Sequence, residues 1–477
     1  MKVLFGVDLG TSAYKAVALT PAGETLATGR APVVYRRPGP NRVQFSAVDQ
    51  YRRLCRLLRD VAAAVPRDAQ PAALALSGAN GSTVLLDDDH QPLIPAISWL
   101  DTRAGEAYEA LLPSVSRPEV LETVGWRWTP RFPLTQLAWL RARRPAVYRK
   151  ARYFTIETGY FHHELTGRLA IDHSSATTFF LQNQKARRWH EPFLRALAIQ
   201  PSSLPELVPP GARIGALTTK AARATGLPAR LPVIAGAFDH PSAAIGSGVF
   251  DAGDLLLSCG TSWVGFLPTA DRAAALANGL IVDPFRQPDG PWGAMFALTA
   301  VGTTIDRYLT SIFPLPKSLP LAERYRRFTA AASAVACGEE GPPIDPLAPP
   351  PANRAARAAI CRGYSFGQLS RRLMVGTALA VRRRLAALAS TGFEPRRIVI
   401  VGGPSNSEVW TQIVADALGR ELSLAGAAMA GATGAAMLAG IGAGIFRDAA
   451  EASARAQRSL RLVKPASATR AWYDQFE

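Results

Sequence analysis

Short apolar runs that end in glycine and hydroxyl residues recur along this chain. Residues 3–7 are apolar, residues 8–12 interrupt the run, and an alternating segment over residues 15–19 follows. This pattern predicts a strand, a glycine-containing turn and a second strand, which together form a β-hairpin. A helix is predicted over residues 46–64, because Ser46 and Asp49 supply an N-terminal capping signal.

The opening pattern returns in the second half of the chain. Gly-Thr-Ser occupies residues 10–12 and again residues 260–262, each time between two apolar segments. A third apolar run, residues 397–401, leads into Gly402 and Gly403. The duplicated hairpin predicts two similar α/β domains, which we place at residues 1–243 and 244–477.

Residues 423–446 carry no charge and are long enough to span a bilayer. Glycine and alanine make up 15 of these 24 residues, so the total hydrophobicity is low for a membrane span. Small side chains instead allow close approach between backbones. The segment therefore predicts a helix buried inside a domain, and a membrane partner is not expected.

The composition narrows the class of protein further. The chain has 477 residues, of which 48% are hydrophobic and 19% charged, which excludes a disordered chain. The formal charge is +17, yet the excess is mostly arginine without a long basic block, so a nucleic-acid partner is not expected. The four cysteines lie too far apart for zinc spacing. Because no secretory signal pattern opens the chain, a cytoplasmic location is expected.

The turn after the first strand combines a carboxylate with two hydroxyl groups. Asp8 precedes Gly10, Thr11 and Ser12, and Lys15 lies on the predicted second strand. Backbone amides and hydroxyl groups in such a turn can hold phosphate oxygens, and a carboxylate can orient hydrated Mg²⁺. An ordinary turn is the alternative, but the second Gly-Thr-Ser turn favours a phosphate ligand gripped from two domains.

Two further positions suggest chemistry at the ends of buried strands. Gly402 and Gly403 allow a flat ligand or a phosphate to approach the backbone, although an ordinary strand-to-helix loop is the alternative. Asp239 follows an apolar run and is well placed as a general base, with a helix cap as its alternative. His240 is interpreted as a neighbour that shapes this site.

Trp99, Asp101 and Arg103 alternate after an apolar segment. If the segment is extended, the three side chains share one face and suit a hydroxyl-rich ligand. A structural ion pair between Asp101 and Arg103 is the alternative.

Five segments, in this order, resemble the FGGY family of carbohydrate kinases in the actin-like superfamily, with xylulokinase-like members as the nearest type. They cover essentially the whole chain: FGVDLGTSAYKAV, PLIPAISWLDTRA, PVIAGAFDHPSAAIG, LLLSCGTSW, and VGGPSNSEVWTQIVADALGREL with GATGAAMLAGIGAG. The resemblance implies an α/β fold of two ribonuclease-H-like domains. Each would contain a mixed five-stranded sheet flanked by helices, with ATP and a sugar bound in the cleft between the domains.

The resemblance also implies roles for individual residues. Asp239 resembles the catalytic base, and Asp8 resembles the carboxylate that orients Mg²⁺. The implied ATP-binding residues are Thr11, Ser12 and Lys15 in a first phosphate loop, Gly260 and Thr261 in a second, and Gly302, Asp306, Gly402, Gly403 and Ser407 around the nucleotide. The implied substrate-binding residues are Asn80, Gly81, Trp99, Asp101, Arg103 and His240.

The sequence departs from the family around the substrate. Asn80 and Gly81 stand where glycerol kinases carry an adjacent Arg and Glu, so the charged clamp is missing and glycerol is disfavoured. Gly159 stands where many members have Asp, and Pro404 replaces a common glycine in the adenosine turn. These departures predict a pocket with smaller side chains.

The sequence therefore predicts an ATP-dependent kinase of a sugar or polyol, a ketose or an alditol, with Mg²⁺ as cofactor. A catalytically silent sugar- or nucleotide-binding regulatory protein of the same fold is the alternative, motivated by the altered turn over residues 77–82. The sugar, the phosphorylated hydroxyl group and the oligomeric state, including a homodimer, are left open.

Overall fold

The computed structural model describes residues 1–285, 291–348, 350–425, 429–456 and 460–476, with the backbone alone at 455 and 456. These residues form two compact units, each built from segments that are separate in sequence. The first unit comprises Met1–Phe250, Thr269–Ala294 and Met429–Arg458, and the second comprises Asp251–Pro268, Met295–Ala428 and Ser459–Glu477. The domain boundary proposed between residues 243 and 244 stays a prediction.

The strands are numbered in chain order. They are β1 (Lys2–Leu9), β2 (Ala13–Leu19), β3 (Thr25–Pro32), β4 (Gln44–Phe45), β5 (Gln70–Gly78), β6 (Thr83–Leu86), β7 (Ala96–Ile97), β8 (Tyr153–Ile156), β9 (Ala170–Asp172), β10 (Gln182–Asn183), β11 (Arg188–Trp189), β12 (Glu206–Val208), β13 (Arg213–Ala216), β14 (Pro232–Phe238), β15 (Asp254–Cys259), β16 (Trp263–Thr269), β17 (Ile281–Pro284), β18 (Trp292–Leu298), β19 (Arg397–Gly402), β20 (Leu422–Leu424) and β21 (Arg461–Val463).

The helices are numbered in the same way. They are α1 (Ala47–Ala63), α2 (Arg117–Val124), α3 (Pro133–Arg143), α4 (Pro145–Lys150), α5 (Glu157–Thr166), α6 (His173–Thr177), α7 (Glu191–Leu197), α8 (Thr219–Thr225), α9 (Asp239–Ser247), α10 (Arg272–Ala277), α11 (Val301–Arg307), α12 (Leu321–Ser333), α13 (Arg354–Cys361), α14 (Phe366–Ala389), α15 (Glu408–Leu418), α16 (Ala430–Gly442), α17 (Ala449–Ala456) and α18 (Arg470–Asp474).

The main sheet of the first unit has the strand order β13-β14-β5-β1-β2-β3. β1 pairs antiparallel with β2 and parallel with β5, so the sheet is mixed and the predicted opening hairpin is confirmed. β1 is buried along nearly its whole length, as expected for a strand covered on both faces. The sheet has six strands rather than the predicted five, because β13 adds an antiparallel edge strand beside β14.

Six strands of a seven-stranded sheet, β18-β16-β15-β19-β20-β21, repeat this order from the opposite edge, and β17 lies beside β18. Its central hairpin, β15 with β16, is antiparallel, and β15 pairs parallel with β19. β20 continues the sheet in parallel and β21 ends it antiparallel, as β14 and β13 do in the first unit. The predicted duplication of an α/β unit is therefore confirmed, and this sheet also exceeds five strands.

Helix α16 packs directly against the central strand of the first unit. A Cβ atom added to Gly6 would lie 2.0 Å from the carbonyl oxygen of Ala432, so the two backbones are in contact. The predicted buried helix within residues 423–446 is thus confirmed over Ala430–Gly442, whereas residues 426–428 lie outside the described residues. No helix in the described part of the chain is both long and apolar enough to cross a membrane.

Candidate functional site

Asp8 and Lys15 lie opposite each other at the open end of the first hairpin. The register of β1 and β2 pairs the two residues, and Lys15 Nζ lies 3.7 Å from Asp8 Oδ2. Asp8 Oδ1 is buried and has no hydrogen-bond partner among the described residues. Burial raises the pKa of Asp8 to about 6, and the Lys15 ammonium group opposes that rise. The hairpin therefore presents a buried carboxylate with a free oxygen atom.

The turn between these strands is held through its backbone. The Tyr35 hydroxyl group donates to the Thr11 carbonyl oxygen at 2.9 Å, and Val33 N donates to the Ser12 carbonyl oxygen at 3.1 Å. Thr11 is half-buried and Ser12 is exposed. These contacts fix the turn and place its two hydroxyl residues at the surface of the first unit.

Asp239 is the first residue of α9 and follows β14 directly. Phe238 occupies the N-cap position and no side chain caps the helix, so the alternative role of Asp239 as a cap is not observed. Asp239 Oδ1 is buried and accepts no hydrogen bond from a described residue, although His240 Nε2 lies 3.9 Å from it. The side chain is 28% exposed, so the carboxylate is partly accessible although Oδ1 itself is buried.

A series of buried hydrogen bonds holds the backbone next to Asp239. The sequence did not indicate it. Phe238 N donates to Ser174 Oγ at 3.1 Å, and Ser174 Oγ donates to Asp283 Oδ1 at 2.6 Å. Asp283 is fully buried, and this burial, together with the nearby Asp172 and Asp239 carboxyl groups, raises its pKa well above the usual range. These hydrogen bonds fix the backbone immediately before Asp239. The residues that form them are too distant in sequence to make a motif.

Asn80 and Gly81 form a tight turn after β5. Asn80 Nδ2 donates to Gly78 O at 3.0 Å and to Ser175 Oγ at 2.9 Å, and the Thr158 hydroxyl group donates to Asn80 Oδ1. Asn80 has a φ of 50° and Gly81 a φ of 75°, a left-handed conformation that glycine adopts most readily. The Asn80 amide is therefore occupied by internal hydrogen bonds, and substrate contacts by these two residues stay a prediction.

An aromatic cluster lies beside this turn. Phe132 stacks on Phe180 with ring centroids 4.6 Å apart, and Trp126 packs edge-on against Phe132, Phe180 and Phe238. A Cβ atom at Gly81 would lie 2.8 Å from the Phe132 ring, so this cluster leaves no room for a side chain there. Sequence reasoning missed the cluster, because its members lie on different elements.

Trp99, Asp101 and Arg103 do not alternate along an extended segment, so that expectation is wrong. Asp101 N donates to Ser98 O at 3.0 Å and closes a turn. The fully buried Asp101 carboxylate accepts from Arg103 Nε at 2.8 Å and Arg103 Nη2 at 2.7 Å, and also from two backbone N–H groups. The pair thus forms the structural ion pair that the sequence left as an alternative, and contacts with substrate stay a prediction.

Gly159, the other departure near the substrate, is closely packed. A Cβ atom there would lie 2.3 Å from Thr155 Oγ1 and 2.8 Å from Ile171 Cγ2. An aspartate at this position therefore requires its neighbours to move, and the local packing of this chain is built around glycine.

The Glu157 carboxyl group gives a prediction about stability. It accepts a hydrogen bond from the Tyr14 hydroxyl group, and burial raises its pKa from 4.5 to about 7. Between these two values the unfolded chain is ionised and the folded chain is not, so the free energy of unfolding falls as the pH rises. Because a pKa difference of one corresponds to about 1.4 kcal/mol, we expect a loss of about 2–3 kcal/mol between pH 4.5 and 7.

The Glu157→Gln variant tests this expectation, because its amide is neutral and still accepts from Tyr14. Urea unfolding at pH 5 and pH 8 is expected to show a larger stability gain over wild type at pH 8. Glu106→Gln at an exposed position serves as the control. An equal difference between variant and wild type at both pH values would contradict the assignment.

A cavity of about 730 Å³ lies within the second unit. Its lining includes six of the predicted nucleotide-binding residues: Gly260, Thr261, Gly302, Asp306, Gly403 and Ser407. Gly402 is the last residue of β19 and lies behind these lining residues. Its φ is 104°, and a Cβ atom added there would lie 2.4 Å from Cys259 O. The structure thus gathers residues that the sequence separates widely.

The walls of this cavity are set by close backbone contacts. Gly302 N donates to Thr261 O at 2.9 Å, and a Cβ atom at Gly302 would lie 2.4 Å from Gly260 O. Ser407 is the N-cap of α15, and its hydroxyl group accepts from Trp410 N at 3.3 Å. Glycine at these turns lets a ligand approach the main chain directly.

One side of the cavity comes from α12, which sequence reasoning did not identify. Tyr325 donates to Asp306 Oδ1 at 2.8 Å, and Arg326 and Ala330 line the space beside it. Trp263 and Trp410 supply aromatic surface. The apolar walls suit a flat ring, and the glycine turns suit anionic groups. A cavity of this size therefore fits a ligand that contains both. The α12 residues show only helical periodicity, which does not identify a ligand.

The described residues offer no preformed metal site with three or more protein ligands. No group of three or more His, Cys, Asp or Glu side chains is arranged to hold a metal ion in the described ranges. A cation at Asp8 would therefore need its other ligands from a bound molecule or from water.

Comparisons with known proteins agree with the resemblance seen in the sequence. The model of the FGGY family of carbohydrate kinases, N-terminal domain, matches residues 3–246. The model of the C-terminal domain of the same family matches residues 255–443. The two matches together cover most of the chain.

Individual relatives extend this similarity over the full length. A xylulose kinase of Escherichia coli is 27% identical over 92% of this chain and 90% of its own length. A glycerol kinase of Geobacter sp. is 26% identical over 95% of this chain and 92% of its own length. The crystal structure of a xylulose kinase from Rhodospirillum rubrum superimposes with a TM-score of 0.83 at 24% identity, covering 99% of this chain and 96% of that chain.

Proposed function

Because the chain belongs to the FGGY family of carbohydrate kinases, we propose that it transfers the terminal phosphoryl group of ATP to a hydroxyl group of a ketose or an alditol. Kinases of this kind use ATP as the phosphoryl donor, and the protein is a carbohydrate kinase. The observation that carries the finer proposal is Asp239, whose buried Oδ1 atom accepts no hydrogen bond from a described residue.

Asp239 acts as the general base in this proposal. Its carboxylate accepts the proton of the attacking hydroxyl group while that oxygen forms its bond to phosphorus and ADP leaves. The hydrogen-bond chain through Ser174 and Asp283 holds the backbone before Asp239 and so orients the carboxylate. His240, 3.9 Å from Asp239 Oδ1, borders the position of the sugar.

The proposed phosphate-binding residues are Thr11, Ser12 and Lys15, together with Gly260 and Thr261. Hydroxyl groups, backbone amides and one ammonium group are the donors that polyphosphates require. The remaining nucleotide contacts come from the 730 Å³ cavity, which Gly302, Asp306, Gly403 and Ser407 line, with Gly402 behind them at the end of β19. Phosphoryl transfer depends mainly on such alignment and charge neutralisation.

Asp8 fits the role of a Mg²⁺-orienting carboxylate. Its Oδ1 atom is buried without a hydrogen-bond partner among the described residues, and Mg²⁺ prefers oxygen ligands with several of its waters retained. When bound, the ion supplies positive charge that neutralises the phosphate oxygens. Asp8 would hold the hydrated ion, and Lys15 adds a positive charge on the same hairpin.

The substrate remains a small hydroxyl-rich molecule. Xylulose kinases and a glycerol kinase are both among the similar proteins, but the turn at Asn80 and Gly81 lacks a charged clamp and therefore disfavours glycerol. Phe132, the half-buried member of the aromatic cluster beside that turn, offers an apolar ring against which the carbon face of a sugar can pack. The cytoplasmic location and a homodimer stay predictions.

A coupled assay of ADP release tests the proposal. The purified full chain is supplied with Mg-ATP and a panel of ketoses, aldoses and polyols that includes glycerol. We expect saturable turnover with at least one ketose or alditol and a lower kcat/KM for glycerol. Silence across the panel, together with saturable sugar or nucleotide binding, would instead favour the catalytically silent regulatory protein.

A further inference from the structure

A second cavity, of about 500 Å³, lies within the first unit on the outer side of α1. We call it the α1 cavity. It is lined by Val48, Tyr51, Arg52, Cys55, Arg56, Arg59, Gln91, Tyr160, Glu164, Lys220 and Ala224. None of these residues belongs to the proposed catalytic or nucleotide-binding sets.

Four cations and a single carboxylate line this cavity. Arg52, Arg56 and Arg59 follow one another at helical spacings of four and three residues, so all three lie on one face of α1. Like charges at this spacing destabilise a helix by about 0.2–0.5 kcal/mol per pair. The three arginines therefore repel one another along this face of the helix, and a bound anion would relieve that repulsion.

Acidic neighbours compensate only part of this charge. On the helix itself, Asp49 Oδ1 lies 3.1 Å from Arg52 Nη1 in an exposed ion pair. Lys220 Nζ lies 3.5 Å from Glu164 Oε2. Two of the four cations, Arg52 and Lys220, therefore have a carboxylate nearby.

The other two cations, Arg56 and Arg59, form no ion pair with a described carboxylate, and the nearest acidic residue in sequence on the helix is Asp60, four residues after Arg56. Arg59 Nη2 donates to the carbonyl oxygens of Arg223 and Ala224, at 3.0 and 2.8 Å, which are neutral partners. In the described part of the chain no carboxylate forms an ion pair with Arg56 or Arg59. The guanidinium group of Arg59 is thus fixed in place but not neutralised.

The rest of the wall is mixed rather than fully polar. Tyr51 and Tyr160 contribute ring surface, and the Tyr51 hydroxyl group donates to Glu164 O at 3.3 Å. Cys55 is buried, and that burial raises the pKa of its thiol to about 11, so it remains a neutral, unreactive group. The cavity therefore offers donors for an anionic group beside surface for a carbon skeleton.

We propose that the α1 cavity binds a phosphate monoester of a small polyhydroxy compound. Arginine and lysine donate charge-assisted hydrogen bonds to the phosphate oxygens, and the tyrosine rings cover the carbon chain. The volume lies within the range of small-molecule sites. The proposal concerns binding and does not depend on the assignment of Asp239.

Helix α5 connects this cavity to the turn at Asn80. Tyr160 and Glu164 of α5 line the cavity, and Thr158 near the start of the same helix donates to Asn80 Oδ1. A ligand in the α1 cavity thus contacts the element that holds the turn. We expect occupancy to change the KM for the sugar more than the KM for ATP.

Calorimetric titration with ribose 5-phosphate at fixed ionic strength tests the binding. The Arg56→Gln/Lys220→Gln double variant removes two cavity cations, and Arg67→Gln/Lys150→Gln removes two exposed cations outside the cavity as a matched control. We expect at least a tenfold loss of affinity in the first variant and less than a twofold change in the control. Thermal unfolding of both variants verifies that they fold.

Three outcomes would overturn the binding proposal, and a fourth would overturn its link to the sugar. Absence of saturable binding to wild type would exclude the site, and equal binding by the two double variants would place the ligand elsewhere, for example at the phosphate-binding turns. Inorganic phosphate that binds as tightly as ribose 5-phosphate would exclude the monoester in favour of free phosphate. Binding that leaves the sugar KM unchanged would overturn the connection through α5.

Discussion

We expect sugar-dependent ADP release to fall by a factor of about 10²–10⁴ in the Asp239→Asn variant, while ATP binding stays close to that of wild type. The amide has the size of the carboxylate but cannot accept the proton of the attacking hydroxyl group. Because Asp239 Oδ1 accepts no hydrogen bond from a described residue, the substitution breaks no observed hydrogen bond of that atom. The loss is therefore expected in kcat rather than in folding.

Steady-state kinetics and nucleotide titration of the same preparation measure the two quantities. Asp89→Asn, at an exposed turn of the same unit, controls for the change of charge and is expected to behave as wild type. Undiminished turnover in Asp239→Asn would remove Asp239 from the role of general base.

Gly302→Ala is expected to raise the KM for ATP by about tenfold or more. Its Cβ atom would lie 2.4 Å from Gly260 O and 2.9 Å from Thr261 Cα, so the backbone of the second phosphate-binding turn must move. Overpacking of this kind costs about 1–3 kcal/mol, and about 1.4 kcal/mol corresponds to a factor of ten. Alanine is otherwise favoured over glycine inside a helix such as α11, so the loss does not come from helix propensity.

The KM for ATP and the KM for the sugar, measured separately, distinguish this effect from a general loss of structure. Gly39→Ala provides the control, because its Cβ atom meets only the Arg42 side chain, at 3.9 Å. An unchanged KM for ATP in Gly302→Ala would contradict the place of this turn in nucleotide binding.

The repeated hairpins could be predicted because their evidence is local. Apolar runs broken by Gly-Thr-Ser encode strand, turn and strand, and the register that places Asp8 opposite Lys15 follows from the short connection between them. The extra edge strand β13 was missed, because its four residues include a glycine and show little alternation. The buried helix α16 was recognised from its small residues, which fit against the backbone at Gly6.

The parts of the candidate site that depend on tertiary contacts could not be predicted from the sequence. Ser174 and Asp283 meet behind Asp239 only after β17 packs into the first unit, and nothing in their local sequence indicates that meeting. The alternation around Asp101 is compatible with an extended segment or with a structural ion pair, and its carboxylate accepts from the backbone N–H groups of Val43 and Arg103 and so stabilises a turn. Side-chain hydrogen bonds to the backbone overrode the alternating pattern.

The arginine excess is also partly explained by the structure. Composition alone does not show where positive charges lie close together. In the structure, three arginines and one lysine line the α1 cavity. Clustering of this kind depends on helical periodicity combined with the position of α8, which the sequence does not specify.

Phosphorus NMR of a reaction between Mg-ATP and the best substrate of the panel is the most direct test of the kinase assignment. We expect one sugar phosphate to form for each ADP, with wild type forming it and Asp239→Asn forming almost none. Formation of ADP and inorganic phosphate without a sugar phosphate would contradict phosphoryl transfer to a sugar hydroxyl group.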